Sequence, residues 1–444
     1  MPNSLVVKNR IKNFNKKIKI PGDKSLSIRW ALLASLSSGT SKAKNLLMSE
    51  DVKATLQIIK KFGIKVILKK NVCKIFGKGM DGYNFKKNQK IDAKNSGTLA
   101  RLILGLIVNS TVPIKLIGDN SLSKRDFDRI INPLKKFGVS FKLLNKNKLP
   151  LIIKGSNNLK GINYEEKRGS AQCKSSVIFA GMRSNGKTII KAKKSRNHTE
   201  LMCKYLNLPI KITKKKKFDL IEISKVSKIP TINYNIPSDI SSGSFFMILV
   251  ALLNKSKITL KNININPSRI GIIIILKKMG VKIKFLNSKI YNGEKIADII
   301  VESPKKLKAI NCPTYLNSGT IDEFLSIFLV AAKANGVSYF KDLAELNNKE
   351  SPRLIWGSKI LNLMGVKNVA TNNSIKIFGN PSLKVNKRIV IKNFLKDHRV
   401  FMTSVIAALS FQGKSKWQIS DVNSIKTSFP NFLIILKKLG AKIN

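Results

Sequence analysis

The chain is 444 residues long, which is enough for two or three domains that each bury a core. Hydrophobic residues make up 43% of it and aromatic residues 7%, as is typical of a soluble α/β protein. Lysine and arginine outnumber aspartate and glutamate by 83 to 24, so the formal net charge is +59. Because the lysines are spread over the whole length without a basic tail, this charge does not single out a nucleic-acid-binding protein. It would concentrate any anionic substrate.

Cysteine and histidine are too few and too scattered for a zinc site or a disulfide framework. Two histidines occur, and no C-x-x-C pair is formed by Cys73, Cys173, Cys203 and Cys312. We therefore expect no metal, and a reduced, cytoplasmic chain. Residues 1–20 lack the apolar region of a signal peptide, and the longest apolar run, 245–253, is too short to cross a bilayer. No membrane partner is expected.

The first helix that the sequence predicts follows the Pro-Gly turn at residues 21–22. Lys24, Ser25 and Arg29 come next, and the apolar run 30–34 follows directly. This pattern predicts a buried helix whose N-terminus carries cations and hydroxyls. Such an end has free backbone N–H groups and a partial positive charge, so it favours an anion. Taken alone, the segment is also consistent with a helix cap beside solvated side chains.

The same plan recurs five times further along the chain. Each copy has a polar helix start, an apolar helix, a small-residue turn, a strand, a charged loop, an amphipathic helix and a final strand. The later polar starts are Asn95–Thr98, Ser170–Gln172, Asp239–Ser242, Ile321–Glu323 and Asp397–Arg399. The glycines that suit left-handed helix ends are Gly63, Gly138, Gly280, Gly365 and Gly440, with Leu206–Pro209 as the divergent copy. The copies are spaced by 71, 75, 69, 83 and 76 residues, counted from Lys24, Asn95, Ser170, Asp239, Asp322 and His398.

This repeat has a geometric consequence for function. Three copies would make one domain around a bundle of buried helices, and parallel helices would bring their N-termini to one face. Two such domains would form a cleft lined by helix starts. Each N-terminus favours an anion by about 0.3–1 kcal/mol. The sequence therefore predicts a receptor for a ligand with several negative charges.

One motif points to a different function and is rejected. Residues 181–188 match the phosphate-loop pattern G-x-x-x-x-G-K-T. A phosphate loop needs a strand before it and a helix after it, whereas here an apolar helix precedes and a strand-like Ile-Ile pair follows. The segment is also the small-residue turn of the third copy. We therefore expect no nucleotide there.

Several stretches occur in an order that is specific even though each is weak alone. They include Pro21–Ser25, Asn95–Thr98 with Arg101, Gly118–Arg125, Ser170–Gln172 with Lys174, Ser195–Glu200, Ile321–Glu323, Lys349–Ser351 with Arg353, Asp397–Arg399 and Ser428–Pro430. On these residues the chain resembles the 5-enolpyruvylshikimate-3-phosphate synthase family over nearly its full length. The resemblance implies an α/β fold of two lobes, each with three βαβαββ units around buried parallel helices, as an inside-out α/β barrel. Residues 1–20 and 240–444 would form the C-terminal lobe, residues 21–239 the N-terminal lobe, and the active site would lie in the cleft between them.

The resemblance also implies a reaction. The enolpyruvyl group of phosphoenolpyruvate would pass to the 5-hydroxyl of shikimate 3-phosphate with release of phosphate, in the shikimate pathway to chorismate and aromatic amino acids. No cofactor and no metal would be needed, and a monomer without nucleic-acid or membrane partners is expected. Both substrates carry a phosphate and a carboxylate, as a cleft of helix starts and cations would require.

Roles for individual residues follow from the same resemblance. Asp322 would take the 5-hydroxyl proton, Glu350 would handle the proton at C3, and Lys24 would assist at the bridging oxygen. The residues that would bind shikimate 3-phosphate are Lys24, Ser25, Arg29, Ser170, Ala171, Gln172, Arg196, Asp322 and Lys349. Those that would bind phosphoenolpyruvate are Lys24, Gly97, Arg125, Gln172, Arg353 and Arg399. From the residues alone, Asp322 could equally be the N-cap of the helix that follows it.

Some positions depart from the family's pattern. Lys94 and Ser238 each stand where a glycine is common, and Pro352 replaces an aspartate. Pro352 should then lie in a loop or a first helical turn. Gly97 is the position where glyphosate-tolerant members of this branch carry alanine, so we expect the protein to be glyphosate-sensitive.

Three alternatives remain at this point: an enolpyruvyl transferase that acts on UDP-N-acetylglucosamine, a basic nucleic-acid-binding protein, and an inactive relative. None of the four cysteines lies in the loop context of the first alternative. The roles of His198 and His398 stay open.

Overall fold

The computed structural model of the chain describes residues 4–8, 10–69 and 72–443. Of the predicted lobe segments, residues 1–3, 9, 70–71 and 444 lie outside this description. The strands are β1 Ser4–Val7, β2 Asn15–Lys19, β3 Ser38–Lys44, β4 Lys65–Lys69, β5 Val72–Lys78, β6 Gln89–Asp92, β7 Ile114–Ile117, β8 Ser140–Asn145, β9 Lys148–Lys154, β10 Asn163–Glu166, β11 Thr188–Lys193, β12 Ile210–Lys214, β13 Phe218–Ile223, β14 Asn233–Asn235, β15 Lys257–Asn264, β16 Lys282–Tyr291, β17 Glu294–Glu302, β18 Gly336–Phe340, β19 Asn368–Ala370, β20 Ile375–Gly379, β21 Arg388–Ile391 and β22 Lys416–Ser420.

Long and short helices alternate with these strands. The α-helices are α1 Lys24–Ser35, α2 Glu50–Lys61, α3 Gly97–Leu106, α4 Asp128–Lys136, α5 Ala171–Gly181, α6 His198–Tyr205, α7 Ile240–Leu252, α8 Gly271–Lys278, α9 Asn317–Thr320, α10 Phe324–Lys333, α11 Arg353–Leu363, α12 His398–Ser410 and α13 Phe432–Lys438. Single 3-10 turns cover Leu122–Lys124, Thr314–Leu316, Ala344–Asn348 and Val422–Thr427.

The chain divides into two compact units, each with a hydrophobic core of its own. The N-terminal unit consists of Gly22–Ile236 together with Tyr291–Glu294. The C-terminal unit consists of the described residues within the ranges 1–21, 237–290 and 295–444. The chain therefore begins in the C-terminal unit, passes through the N-terminal unit and returns.

The N-terminal unit holds three four-stranded sheets with one common topology. Their strand orders are β14-β3-β5-β4, β6-β7-β9-β8 and β10-β11-β13-β12. In each sheet the first pair is parallel and the other two pairs are antiparallel. Two of the sheets are complete βαβαββ units, and the first takes its leading strand, β14, from the end of the unit.

The C-terminal unit has one four-stranded sheet and two three-stranded sheets, with strands drawn from both ends of the chain. Its sheets have the orders β16-β17-β15-β2, β18-β20-β19 and β1-β22-β21. Strand β2 pairs parallel with β15, and β1 pairs antiparallel with β22. The fold is thus mixed α/β, as predicted. The sheets do not form a closed barrel, because none of those in the described chain closes on itself.

The predicted polar motifs do begin the buried helices. Asp23, Ser96, Ser170, Asp239 and Asp397 are the N-caps of α1, α3, α5, α7 and α12, and the side chain of each accepts a backbone N–H bond. This satisfies donors that a helix start otherwise leaves open. Every residue of α7 is buried, which explains why its sequence is apolar all round.

The amphipathic helices end as the glycines predict. Gly63, Gly138, Gly280, Gly365 and Gly440 all have positive φ angles, between 81° and 96°. Only glycine adopts this left-handed conformation without steric cost. In the divergent copy, Asn207 takes the same conformation with φ 53°.

Two further expectations concern segments without a catalytic role. Residues 181–188 lie between the end of α5 and the start of β11, so a helix precedes them and a strand follows, as predicted. None of the helices in the described ranges is long and apolar enough to cross a membrane.

Candidate active site

Lys24 is the first residue of α1, and an acidic side chain of the next helix holds it. Its Nζ donates to Oδ2 of Asp51 at 3.0 Å, and 22% of the Lys24 side chain remains exposed. The carboxylate of Asp23 accepts from the backbone N–H of Leu26 at 2.9 Å and so caps the helix. Asp51 was not predicted as a site residue. Its position at the start of α2, in the charged loop of the first repeat, was the available signal.

Arg29 lies one turn further along α1 and is buried. Its Nε donates to Oγ1 of Thr199 at 2.8 Å, and its Nη2 donates to Oγ of Ser175 at 3.2 Å. Its Nη1 donates to the backbone oxygen of Ser25 at 3.1 Å. A single guanidinium thereby joins the first turns of α1 and α6 to α5.

The starts of α3 and α5 also meet. Arg101 donates to Oε1 of Gln172 at 2.8 Å, and Nε2 of Gln172 donates to Oγ1 of Thr98 at 2.9 Å. A Cβ at Gly97 would lie 2.8 Å from Nη1 of both Arg101 and Arg125. Two guanidinium groups therefore converge on Gly97 at the start of α3. Arg101 was not among the predicted substrate ligands and joins the candidates here.

The first turn of α5 is built on a buried ion pair. Ser170 caps the helix by accepting from the backbone N–H of Cys173, and Ala171 is the first helical residue. Lys174 Nζ lies 2.6 Å from Oε1 of Glu200, with both side chains at most 2% exposed. Burial raises the pKa of the Cys173 thiol, so this cysteine stays protonated. Arg196, a predicted phosphate ligand, lies half-buried in the loop before α6.

In the C-terminal unit one arginine collects three carboxylates. Nη1 of Arg353 donates to Oδ1 of Asp322 at 3.1 Å, and Nη2 donates to Oε2 of Glu350 at 2.5 Å. Its Nε donates to Oδ2 of Asp397 at 2.9 Å. Burial alone lowers the pKa of the Arg353 guanidinium, but Asp397, Glu350 and Asp322 outweigh it and raise that pKa above its ordinary value. The two predicted acid–base residues are thus held by the same buried cation.

Asp397 is the fully buried anchor of this group. Besides Arg353, its Oδ2 accepts from the backbone N–H and the hydroxyl of Ser351, at 3.2 and 2.9 Å. Its Oδ1 accepts from the backbone N–H of Arg399 at 2.8 Å and so caps α12. The repeat identified Asp397 only as part of a helix start. Its role as an anchor could not be predicted, because its partners lie 44 and 46 residues away.

The N-cap interpretation of Asp322 is wrong. Glu323 occupies the N-cap position of α10, and the short helix α9 precedes it, so Asp322 lies outside the capping position. Its carboxylate contacts Arg353 instead, and its backbone oxygen accepts from Nη1 of Arg399 at 2.9 Å. The Asp322 side chain is 19% exposed.

Pro352 immediately precedes α11, with φ −69°, as predicted for a residue without an N–H. The last predicted ligand, Lys349, lies half-buried in the loop just before it.

Each histidine has a neighbour that limits its role. His198 Nδ1 lies 2.7 Å from Oε1 of Glu294 within the N-terminal unit, and both side chains are 1% exposed. His398 Nδ1 lies 3.3 Å from Oγ1 of Thr427. His198 is thus part of a buried pair with Glu294, whereas His398, which follows Asp397 in the sequence, contacts Thr427. In the described ranges, no cluster of His, Cys, Asp and Glu has the makings of a metal site.

The comparisons with known proteins agree over nearly the whole chain. Residues 8–436 match the family model described as EPSP synthase (3-phosphoshikimate 1-carboxyvinyltransferase). A 3-phosphoshikimate 1-carboxyvinyltransferase of Ruthia magnifica is 40% identical over 96% of each chain. The protein of that name from Caldicellulosiruptor saccharolyticus is 36% identical, over 96% of this chain and 97% of its own.

Solved structures give the same result. EPSP synthase from Acinetobacter baumannii superposes with a TM-score of 0.86 at 32% identity, covering 99% of both chains. The enolpyruvyl transferase NikO from Streptomyces tendae has a TM-score of 0.73 at 13% identity, over 99% of this chain and 98% of its own, which supports the fold alone. Neither the UDP-N-acetylglucosamine alternative nor the nucleic-acid alternative is favoured by these matches. The chain belongs to the EPSP synthase (3-phosphoshikimate 1-carboxyvinyltransferase) family.

Proposed function

We propose that this chain transfers the enolpyruvyl group of phosphoenolpyruvate to the 5-hydroxyl of shikimate 3-phosphate and releases phosphate. The family match over residues 8–436 carries this proposal. The two sets of helix starts support it, because one presents cations and the other presents carboxylates held on arginine. Both substrates are anions whose joining needs an acid and a base.

The proton transfers are assigned to the C-terminal unit. The oxygen of the 5-hydroxyl bonds to C2 of phosphoenolpyruvate, and Asp322 accepts the proton that this hydroxyl loses. Glu350 donates a proton to C3. The bond between C2 and the bridging oxygen then breaks and phosphate leaves with that oxygen, while Glu350 takes a proton back from C3 and the C2–C3 double bond is restored. The proton held by Asp322 leaves with the phosphate. The two carboxylates meet Arg353 at 3.1 and 2.5 Å, so one buried cation holds both of them near each other. Positioned acids and bases each contribute about 10²–10⁴-fold.

Lys24 is assigned to the bridging oxygen. Its ammonium is partly exposed at a helix N-terminus, and its ion pair with Asp51 orients it. As phosphate leaves, negative charge grows on that oxygen, and a nearby cation stabilises it. Lys24 therefore acts on the step in which the leaving group departs.

Substrate binding is divided between several helix starts. For shikimate 3-phosphate we assign Ser25, Arg29, Ser170, Ala171, Gln172, Arg196 and Lys349, beside Lys24 and Asp322. For phosphoenolpyruvate we assign Gly97, Arg125, Gln172, Arg353 and Arg399, beside Lys24. The convergence of two guanidinium groups on Gly97 supports an anion there, because arginine binds carboxylate and phosphate through paired donors. The contacts of Arg353 add a second role for it, since it also orients the two catalytic carboxylates.

We further propose that the protein works as a monomer in the cytoplasm and is sensitive to glyphosate. Size-exclusion chromatography with light scattering tests the first point. Inhibition of the purified enzyme tests the last, and full activity in excess glyphosate would contradict it.

The direct test of function is phosphate release by the purified protein. We expect release with phosphoenolpyruvate and shikimate 3-phosphate, and none when UDP-N-acetylglucosamine replaces the shikimate substrate. Lys24→Met should lose at least about 100-fold in rate because it removes the proposed charge stabilisation. No release with either acceptor, from protein that is folded, would reject the proposal in favour of an inactive relative.

A further inference from the structure

In the C-terminal unit, a chain of hydrogen-bonded, buried polar side chains leads to Arg399. It consists of Arg269, Ser241 and Glu323, which are 2%, 3% and 2% exposed. Nη2 of Arg269 donates to Oγ of Ser241 at 2.5 Å, and that hydroxyl donates to Oε1 of Glu323 at 2.5 Å. Oε1 of Glu323 lies 3.7 Å from Nη1 of Arg399. The chain therefore ends on a cation that we assign to phosphoenolpyruvate.

The donor and the acceptor of each hydrogen bond in this chain of side chains follow from the chemistry of the groups. Arginine can only donate, so the hydroxyl of Ser241 accepts from Arg269 and gives its one proton to Glu323. Arg269 is itself located by Oδ1 of Asp239, to which its Nη2 donates at 3.3 Å. The same oxygen accepts from the backbone N–H of Ser241 at 2.8 Å and caps α7. The chain is thus anchored on a helix start at the end away from Arg399.

Glu323 is not occupied with capping its own helix. It stands at the N-cap of α10, but its side chain makes no capping hydrogen bond. Its carboxylate instead lies between Ser241 and Arg399. Burial of a carboxylate is unfavourable unless it is paired and hydrogen-bonded, so these two contacts account for its position.

Three contacts locate the guanidinium of Arg399. Its Nη1 donates to the backbone oxygen of Asp322 at 2.9 Å and faces Glu323, and its Cζ lies 5.6 Å from the ring centre of Phe245. Its side chain is 11% exposed. Of these three partners, only Glu323 is charged, and only Glu323 is hydrogen-bonded to the start of α7, through Ser241.

We infer that Glu323, oriented by Ser241 and Arg269, positions Arg399 to bind phosphoenolpyruvate. This inference rests on the proposed function, because it assigns Arg399 to that substrate. All three are positioning residues, since none of them is assigned to the substrates. A simpler role as a neutralising charge makes the opposite prediction, because removal of the carboxylate would then leave Arg399 more attractive to an anion.

The test is Glu323→Gln, which keeps the length of the side chain and an oxygen for Ser241 but removes the charge. We expect the KM for phosphoenolpyruvate to rise about tenfold, while the KM for shikimate 3-phosphate changes less than about twofold. Phosphoenolpyruvate binding measured by calorimetry should weaken by the same factor. Ser241→Ala, which leaves both charges in place, should raise the same KM about threefold.

A second background shows whether the effect passes through Arg399. In the Arg399→Lys enzyme, Glu323→Gln should change phosphoenolpyruvate binding by less than about twofold, because the partner it positions is already altered. Glu302→Gln is the matched control. It removes a carboxylate of the same unit from an exposed pair with Lys257, and it should leave both KM values unchanged.

Three results would overturn the inference. They are tighter phosphoenolpyruvate binding by Glu323→Gln, an equal loss in the Arg399→Lys background, and a parallel rise of both KM values. Failure of the proposed function looks different, since the wild type would then release no phosphate. The calorimetric comparison would still decide whether Glu323 positions Arg399. If Glu323→Gln does not fold, Ser241→Ala decides the question by the same measurements.

Discussion

The two units carry different chemistry at their helix starts. In the N-terminal unit, Arg29 and Arg101 donate to hydroxyl, amide and backbone oxygens. In the C-terminal unit, Arg353 and Arg399 face carboxylates. In our proposal, the polar motifs of the N-terminal unit supply most of the shikimate 3-phosphate ligands, and those of the C-terminal unit supply both acid–base residues. What differs is the choice of partner for each arginine.

The largest expected effect concerns the acid–base side of this comparison. Asp322→Asn keeps a side chain that can accept from Arg353 but removes the base, so kcat should fall by about 10²–10⁴-fold. Steady-state phosphate release measures this. Binding of shikimate 3-phosphate should persist, since most of its proposed ligands lie in the other unit. A variant with more than half of the wild-type kcat would show that Asp322 is not the base.

A smaller effect is expected on the binding side, at Gly97. A methyl group there would lie 2.8 Å from a nitrogen of both Arg101 and Arg125, which is too close, so the ends of these two flexible side chains must shift. We expect Gly97→Ala to raise the KM for phosphoenolpyruvate about tenfold, since charge-assisted hydrogen bonds depend strongly on distance. Glyphosate inhibition should weaken at least as much.

Gly97→Ser offers a check on this interpretation, because the larger serine side chain should raise the KM for phosphoenolpyruvate more than alanine does. Unchanged kinetics in both variants would mean that no substrate approaches Gly97.

How far the sequence could predict this chemistry depends on the distance between partners along the chain. The helix starts and left-handed helix ends were predictable because caps and glycines act within a few residues. The partners of Lys24 and Arg353, namely Asp51 and Asp397, lie 27 and 44 residues away and required the fold. The N-cap prediction for Asp322 failed because the preceding turn, α9, shifts the cap to the next residue.

The next prediction separates the units by their response to alkali. Burial raises the pKa of several thiols and phenols, in Cys73 and Tyr83 to about 12. In the described residues, the thiols and phenols with raised pKa in the N-terminal unit are Cys73, Tyr83, Tyr164, Cys173, Cys203 and Tyr234, against Cys312 in the C-terminal unit. A raised pKa contributes stability that is present below the unfolded thiol value of about 8.5 and is lost as the pH rises towards 12.

The N-terminal unit should therefore open first in alkali. Limited proteolysis with subtilisin at pH 7.5 and pH 10, followed by mass spectrometry, should show early cuts within residues 22–236 only at the higher pH. Cys73→Ala should delay those cuts, because one of the titrating groups is gone. First cuts in the C-terminal unit at pH 10 would contradict this account.

The smallest effect concerns the backbone just before a helix start. Lys94, where the family commonly has glycine, has φ 53°, and Lys396 before Asp397 has φ 56°. A left-handed conformation costs a residue with a side chain about 1 kcal/mol, so Lys94→Gly should raise the Tm by a few degrees. Its ion pair with Asp92 is largely exposed and contributes little. Lys87→Gly, at an exposed turn position without positive φ, should not raise the Tm.

The central claim is that most of the shikimate 3-phosphate ligands lie in the N-terminal unit, whereas the two proton-transfer residues lie in the C-terminal unit, and one calorimetric comparison tests it most directly. Shikimate 3-phosphate is titrated into wild type, Asp322→Asn and Arg29→Lys, and phosphate release is recorded for the same samples. The account predicts that Asp322→Asn binds within about threefold of wild type yet releases almost no phosphate, while Arg29→Lys loses about tenfold or more in affinity. Loss of binding in Asp322→Asn together with full affinity in Arg29→Lys would contradict the division.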